Sequence, residues 1–132
     1  MTPEASHFLA KARRLLSRAD VMQYVGLSDA AARTASLADL HAAQAFLFER
    51  VGSVYKGHRR VLAAFLRLTK DDPCIAGAWR LLLSRAMTLA TVVDFETGAR
   101  ATVPSLRAEA AIEEARRFVT HVEGLLAPPP HA

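Results

Sequence analysis

A short basic segment near the middle of the chain has the residue types that bind phosphate. Lys56, His58 and Arg59 stand within four consecutive positions, and each side chain can carry a positive charge. The residues that follow have helical periodicity, and the backbone N–H groups at a helix N-terminus favour an anion. These three residues are therefore candidates for binding a nucleotide or RNA. The alternative is a solvated connector that is basic without a ligand.

Three polar side chains lie on one side of the preceding helix, whose other positions are mostly apolar. At about 100° per residue, Arg33, His41 and Gln44 fall close together around the helix axis. They predict a polar slot that binds a nucleotide or RNA. The alternative is that His41 is a core or interface histidine with a hydrogen-bond partner.

Three side chains are candidates for acid–base chemistry. His58 and His41 carry the imidazole group, which titrates near neutral pH. Asp94 lies at the edge of the apolar stripe of a later helix, where a carboxylate needs a partner such as Lys56 or His58. The alternative for Asp94 is a structural ion pair or a helix cap.

The histidines and the single cysteine give no metal-binding pattern. No two histidines share a helix at i,i+3 or i,i+4 spacing, so we expect no metal ion, and we expect no other cofactor. Cys74 has no second cysteine with which to form a disulfide, and we expect it to be a buried or half-buried apolar residue. The five histidines are His7, His41, His58, His121 and His131.

Apolar residues at helical spacing, interrupted by Gly and Pro, position all these side chains on helices or between them. We expect an all-α, antiparallel bundle of about five helices in a single domain over residues 1–126, with a Pro-rich tail at 127–132. Ser28 is the expected N-cap of the second helix. The predicted helices cover residues 5–23, 29–50, 59–70, 75–95 and 105–124.

Composition limits the classes of function. The chain has 132 residues, 52% of them hydrophobic, and a net charge of +4, which suits one compact domain and permits nucleic-acid binding without demonstrating it. No apolar run approaches the ~20 residues that span a membrane, and the first residues do not form a signal peptide, so we expect a cytoplasmic protein. The second helix is apolar on most sides, which predicts a central position and leftover surface for a homodimer.

Several short patterns together resemble the HEPN superfamily, and specifically its small proteins associated with nucleotidyltransferases. The second helix runs from Ala31-Ala-Arg33 into His41-Ala-Ala-Gln-Ala45, and Lys56-Gly-His58 follows. Asp94-Phe95 closes the fourth helix, and Ala115-Arg-Arg-Phe-Val119 lies on the last. The resemblance covers roughly residues 6–126. It implies a dimeric bundle of about five helices, in a superfamily that includes ribonuclease toxins paired with nucleotidyltransferase antitoxins.

The chain departs from the family where those ribonucleases carry an Arg followed by a His. The corresponding stretch reads Ala90-Thr-Val-Val-Asp94-Phe95, without either residue. We therefore expect a non-catalytic or weakly active partner of a nucleotidyltransferase in a bacterial toxin–antitoxin-like pair, with RNA or nucleotide binding. One alternative is a metal-independent ribonuclease toxin that uses His58 or His41. Another is an oligomerising helical scaffold with no ligand.

Overall fold

The computed structural model of the protein describes residues 1–95 and 102–128, apart from the side chains of residues 92, 94 and 95. This part of the chain forms five α-helices and contains no β-strand, which confirms the prediction of an all-α helical bundle. The predicted segments agree with the observed helices to within two residues at each described end. Most of the predicted Pro-rich tail, residues 129–132, lies outside the described part. The helices are α1 (Pro3–Tyr24), α2 (Ser28–Val51), α3 (His58–Thr69), α4 (Gly77–Phe95) and α5 (Ser105–Leu126).

Local signals at the helix ends explain most of these boundaries. The Thr2 side chain accepts a hydrogen bond from the Ala5 N–H, and Pro3 occupies the first helical position, so α1 begins there. Gly52 ends α2 in the left-handed conformation, with φ of 70°. The expectation for Ser28 was wrong, because Ser28 is the first residue of α2 and the cap position is Leu27, which makes no side-chain cap.

Helix α2 is the centre of the bundle, as its apolar composition predicted. It packs against each of the other four helices, and its many alanines are almost completely buried. Small side chains let helices approach closely, which leaves room for four neighbours around one helix. Beside this helix, the rings of Phe46, Phe65 and Phe118 meet edge to face at 5.4 Å and 5.8 Å between centroids.

Helices α1 and α2 form an antiparallel hairpin whose two ends are fixed by polar contacts. At one end Glu49 accepts hydrogen bonds from the N–H and the hydroxyl of Thr2, both at 2.9 Å. At the other end the hydroxyl of Thr34 donates to the sulfur of Met22 at 3.3 Å. This register places the middle of α1 beside His41.

Two further findings concern the prediction from sequence. Cys74 is exposed, so the expectation that it is buried or half-buried was wrong; it lies in the turn before α4, and its N–H donates to Asp72. None of the described helices is both long enough and apolar enough to cross a membrane.

Candidate functional site

One side of α2 is not covered by its neighbours. Arg33 is exposed, and Leu37, His41 and Phe48 are half-buried, at spacings of three to four residues and their multiples. His41 and Gln44 touch each other, whereas Arg33 lies two turns away, about 12 Å along the helix axis. The structure therefore brings two members of the predicted polar slot together and leaves the third at a distance along the same helix.

The Gln44 side chain joins α2 to the basic connector, which is the segment 52–57 between α2 and α3 that carries Lys56. Its amide N–H donates to the carbonyl oxygen of Tyr55 at 2.8 Å, and its Oε1 lies 2.7 Å from Nδ1 of His41. Because Oε1 can only accept, Nδ1 of His41 must be the donor. The network thus assigns the proton of a neutral His41 to Nδ1 and leaves Nε2 as an acceptor.

Helix α1 covers one face of the His41 ring. The ring of Phe8 stacks on it with 6.2 Å between centroids and 15° between planes. Burial lowers the pKa of His41 below its usual value, although the hydrogen bond with Gln44 acts in the opposite direction. The neutral imidazole is therefore favoured at neutral pH.

Positive groups converge on His41 from two other helices. The charges of Lys11, His58 and His7 each lower the pKa of His41 further. We call His7, Lys11, His41 and His58 the histidine cluster. Lys11, His58 and His7 are all basic, so the cluster is suited to an anion.

The basic connector leads from this cluster into a groove between α3 and α4. Gly57 precedes α3 with φ of 86° and, having no side chain, does not itself cap the first N–H groups of α3. Lys56 and Arg59 are exposed and His58 is half-buried. The groove has a volume of about 390 Å³, with basic residues at one end and apolar and threonine side chains along it. Its lining comprises His58, Arg59, Leu62, Ala63, Leu66, Met87, Thr88 and Thr91.

Ala90, which the sequence resemblance matches to the arginine of the HEPN ribonucleases, is inside the protein. Ala90 is only 2% exposed, on the side of α4 that faces the bundle. The side chain of Asp94 lies outside the described residues, and so does the predicted contact of Asp94 with Lys56 or His58. Within the described residues no group of three or more His, Cys, Asp or Glu side chains is placed to hold a metal ion.

The contribution of α1 is what sequence reasoning missed. In the sequence Lys11 forms a basic stripe with Arg14 and Arg18, which predicts a solvated helix face or non-specific contact with a nucleic-acid backbone. In the structure the charge of Lys11 acts on His41. The one signal in the sequence is the i,i+4 spacing of His7 and Lys11, which puts both on one face of α1. Nothing local in the sequence shows that this face borders α2.

Comparison with known proteins supports the fold. No protein-family model matches the chain, and no curated protein matches it. The chain is similar to the crystal structure of TT1696 from Thermus thermophilus, with a TM-score of 0.79 and 22% sequence identity. The similarity covers 95% of this chain and 100% of that chain. At this identity the match shows that the two proteins share a fold.

Proposed function

We propose that this protein is a HEPN-type partner of a nucleotidyltransferase in a bacterial toxin–antitoxin-like pair, and that it binds RNA or a nucleotide without cleaving it efficiently. The histidine cluster is the observation that carries the binding part of this proposal. It gathers Lys11, His41 and His58 from three helices. Lys56 in the connector and Arg59 in α3 lie on either side of His58 in the sequence. The resemblance in the sequence supports the choice of partner.

The phosphate of the ligand would lie at the start of α3. The N–H groups at the start of α3 and the exposed side chains of Lys56 and Arg59 are donors there, and each such contact favours a phosphate oxygen. Nε2 of neutral His41 can accept a hydrogen bond from a ligand hydroxyl or amine. The adjoining groove between α3 and α4 offers apolar surface for a base.

The absence of efficient cleavage follows from the environment of Ala90. A cation that stabilises the charge on a phosphate in the transition state must reach that phosphate. Because Ala90 is buried, its position contributes nothing to the surface where the basic residues lie. Binding without strong catalysis is therefore the function that these residues support best.

A ribonuclease remains the second candidate, and the state of His41 favours it. A general base must be neutral at the working pH, and burial keeps His41 neutral. Lys11 and His58 lie close enough to influence its charge and could stabilise a phosphate. Pure protein that degrades RNA, and loses this activity in both His41→Ala and His58→Ala, would establish this alternative. Activity that persists in both variants indicates a contaminant.

The binding proposal is tested with the three lysines of the chain. Fluorescence anisotropy measures the affinity for a short single-stranded RNA and for ATP, with Lys11→Ala, Lys56→Ala and the control Lys70→Ala. Lys70 follows α3 at its far end. We expect about three- to tenfold weaker binding for the first two variants, as for the loss of a phosphate contact, and no change for the control. Equal affinities for all three variants would contradict the proposal.

The partner proposal has its own test. Tagged protein is purified from the cells that produce it, and the proteins in the eluate are identified. A nucleotidyltransferase in stoichiometric amount is the expected result. A homodimer that recovers no protein partner, and whose melting temperature does not respond to RNA or nucleotide, would favour the scaffold alternative.

A further inference from the structure

A groove of about 430 Å³ lies between the last turn of α1 and the first half of α5. We call it the acceptor groove, because hydrogen-bond acceptors dominate its lining. It contains three carboxylates and one guanidinium, in a chain whose net charge is +4. The lining residues are Asp20, Gln23, Tyr24, Glu109, Ile112, Glu113 and Arg116.

The single arginine of the acceptor groove is already engaged by two of the carboxylates. Arg116 donates to both oxygens of Asp20, at 3.0 Å and 2.9 Å, and to Glu113 at 2.6 Å. Glu109, one turn before Glu113 on α5, is exposed and takes part in none of these bonds with Arg116. The groove as a whole therefore retains negative charge, and Glu109 offers it to solvent.

Gln23 adds a second kind of acceptor. Its amide nitrogen donates to the carbonyl and the hydroxyl of Ser105, at 3.1 Å and 2.9 Å, which fixes the side chain between α1 and α5. Its Oε1 is buried and has no hydrogen-bond partner among the described residues. A buried amide oxygen without a donor is costly, so this end of the groove gains from any rearrangement that brings a donor to it.

The two most exposed large apolar side chains among the described residues belong to the helix ends that form this groove. Tyr24 is 92% exposed and Leu106 is 79% exposed, and Val25 follows Tyr24 in the turn. Val21 and Leu27, at the end of α1 and in the turn that follows it, are also exposed. Apolar side chains grouped in this way are typical of a surface that another macromolecule covers.

The charge of the groove decides between the possible occupants. RNA would be repelled by the carboxylates. A second copy related by a two-fold axis would apply the same acidic surface to itself, so that like charges face each other. A small cation would leave Tyr24 and Leu106 uncovered. A segment with a cationic head and an aliphatic surface matches both features, because the cation complements the charge of the groove and the aliphatic part covers Leu106.

We propose that the acceptor groove docks a basic, partly aliphatic segment of a different protein. An Arg or Lys head of that segment enters between Glu109 and Gln23, pairs with the carboxylate of Glu109, and lies against the ring of Tyr24. Aliphatic neighbours one turn away cover Leu106. This surface is separate from the histidine cluster and does not depend on RNA or nucleotide binding.

Site-specific photo-crosslinking tests this proposal. p-Benzoylphenylalanine replaces Tyr24 in the full chain, or Val54 as the control, since Val54 is 46% exposed in the connector before α3. Each protein is irradiated in extract of the cells that produce it, and mass spectrometry identifies the cross-linked peptide. We expect position 24 to capture a peptide of another protein with Arg or Lys beside aliphatic residues.

Charge reversal in the groove gives the second readout. Glu109→Lys in the position-24 protein should lower the cross-linking yield about five- to tenfold, whereas Glu4→Lys, at the exposed start of α1, should not change it. A yield unaffected by Glu109→Lys, or no more product than at position 54, would overturn the proposal. So would a cross-link to RNA, to an acidic peptide or to a second copy of this chain.

Discussion

Nδ1 of His41 lies 2.7 Å from Oε1 of Gln44, whose amide nitrogen is in turn anchored on the carbonyl of Tyr55. This relationship connects the middle of α2 to the segment that carries Lys56 and His58. It also shows that Nδ1 is the ring nitrogen of neutral His41 that carries the proton, since an amide oxygen accepts from a ring N–H and cannot donate to a bare ring nitrogen. The tautomer of His41 is thus determined by Gln44, a residue one turn along the same helix.

We expect Gln44→Glu to raise the pKa of His41. The wild-type pKa is lowered mainly by burial, and a carboxylate in place of the amide would favour the imidazolium. NMR titration of the histidine ring protons between about pH 5 and about pH 8 measures the change. Gln23→Glu, at the other end of the hairpin, is the matched control and should leave the titration of His41 unchanged. An unaltered pKa in Gln44→Glu would mean that the hydrogen bond is not formed.

A second prediction compares two glycines in different backbone conformations. Gly52 ends α2 with φ of 70°, where a side chain is strained, so Gly52→Ala should lower the free energy of unfolding by about 1–2 kcal/mol. Gly124 lies inside α5, and an added Cβ would meet no atom within 4 Å, so Gly124→Ala should raise it by about 0.5–1 kcal/mol. Urea unfolding of both variants measures the difference, and effects of the same sign would be inconsistent with these conformations.

The sequence was sufficient to predict the helices because their causes are local. Apolar residues at helical spacing produce one buried face, and Gly and Pro mark the interruptions, so the five segments follow from periodicity. The central position of α2 follows from its alanines, which leave almost no polar face. The exception at Ser28 is also physical: the carbonyl of Leu27 accepts from the Ala31 N–H at 2.9 Å, which starts α2 one residue earlier than predicted.

The two candidate surfaces could be predicted only in part, because they depend on which faces meet. His41 and Gln44 are three residues apart on one helix, and their contact is a local property that sequence can anticipate. Predicting the approach of Lys11 to His41 requires knowing which face of α1 is turned toward α2, and the sequence of α1 alone does not give this. The acceptor groove joins Gln23 to Ser105 across 82 residues of sequence, and no local pattern relates those positions.

Ionisation of Asp39 should make the folded protein less stable as the pH rises, which is opposite to the usual effect of a carboxylate. Its carboxyl is only 2% exposed, and burial, followed by the charge of Glu114, raises its pKa well above the ordinary value. A folded-state pKa above the unfolded one gives stability at low pH that is lost as the pH rises through the folded pKa. Asp39→Asn removes this loss, because the amide does not ionise.

The advantage of Asp39→Asn over the wild type should therefore grow from about pH 4 to about pH 8, reaching on the order of 1–3 kcal/mol. Urea unfolding across that range measures it. Asp71→Asn, an exposed position, should follow the wild-type curve at every pH. A constant difference between Asp39→Asn and the wild type would show that Asp39 does not titrate abnormally.

The last prediction concerns Ala90, where the ribonucleases of the family that the sequence resembles carry arginine. Because Ala90 is 2% exposed, an arginine there must either bury its charge or displace α4 from α2, and we expect Ala90→Arg to lose about 3–5 kcal/mol of stability. Leu81→Arg, at a position on α4 that is 57% exposed, should stay within about 0.5 kcal/mol of the wild type. Thermal unfolding compares the two variants, and incubation with single-stranded RNA tests for cleavage. A stable Ala90→Arg protein that cleaves RNA would show that position 90 can reach a ligand, and the proposal of a non-cleaving partner would then fail.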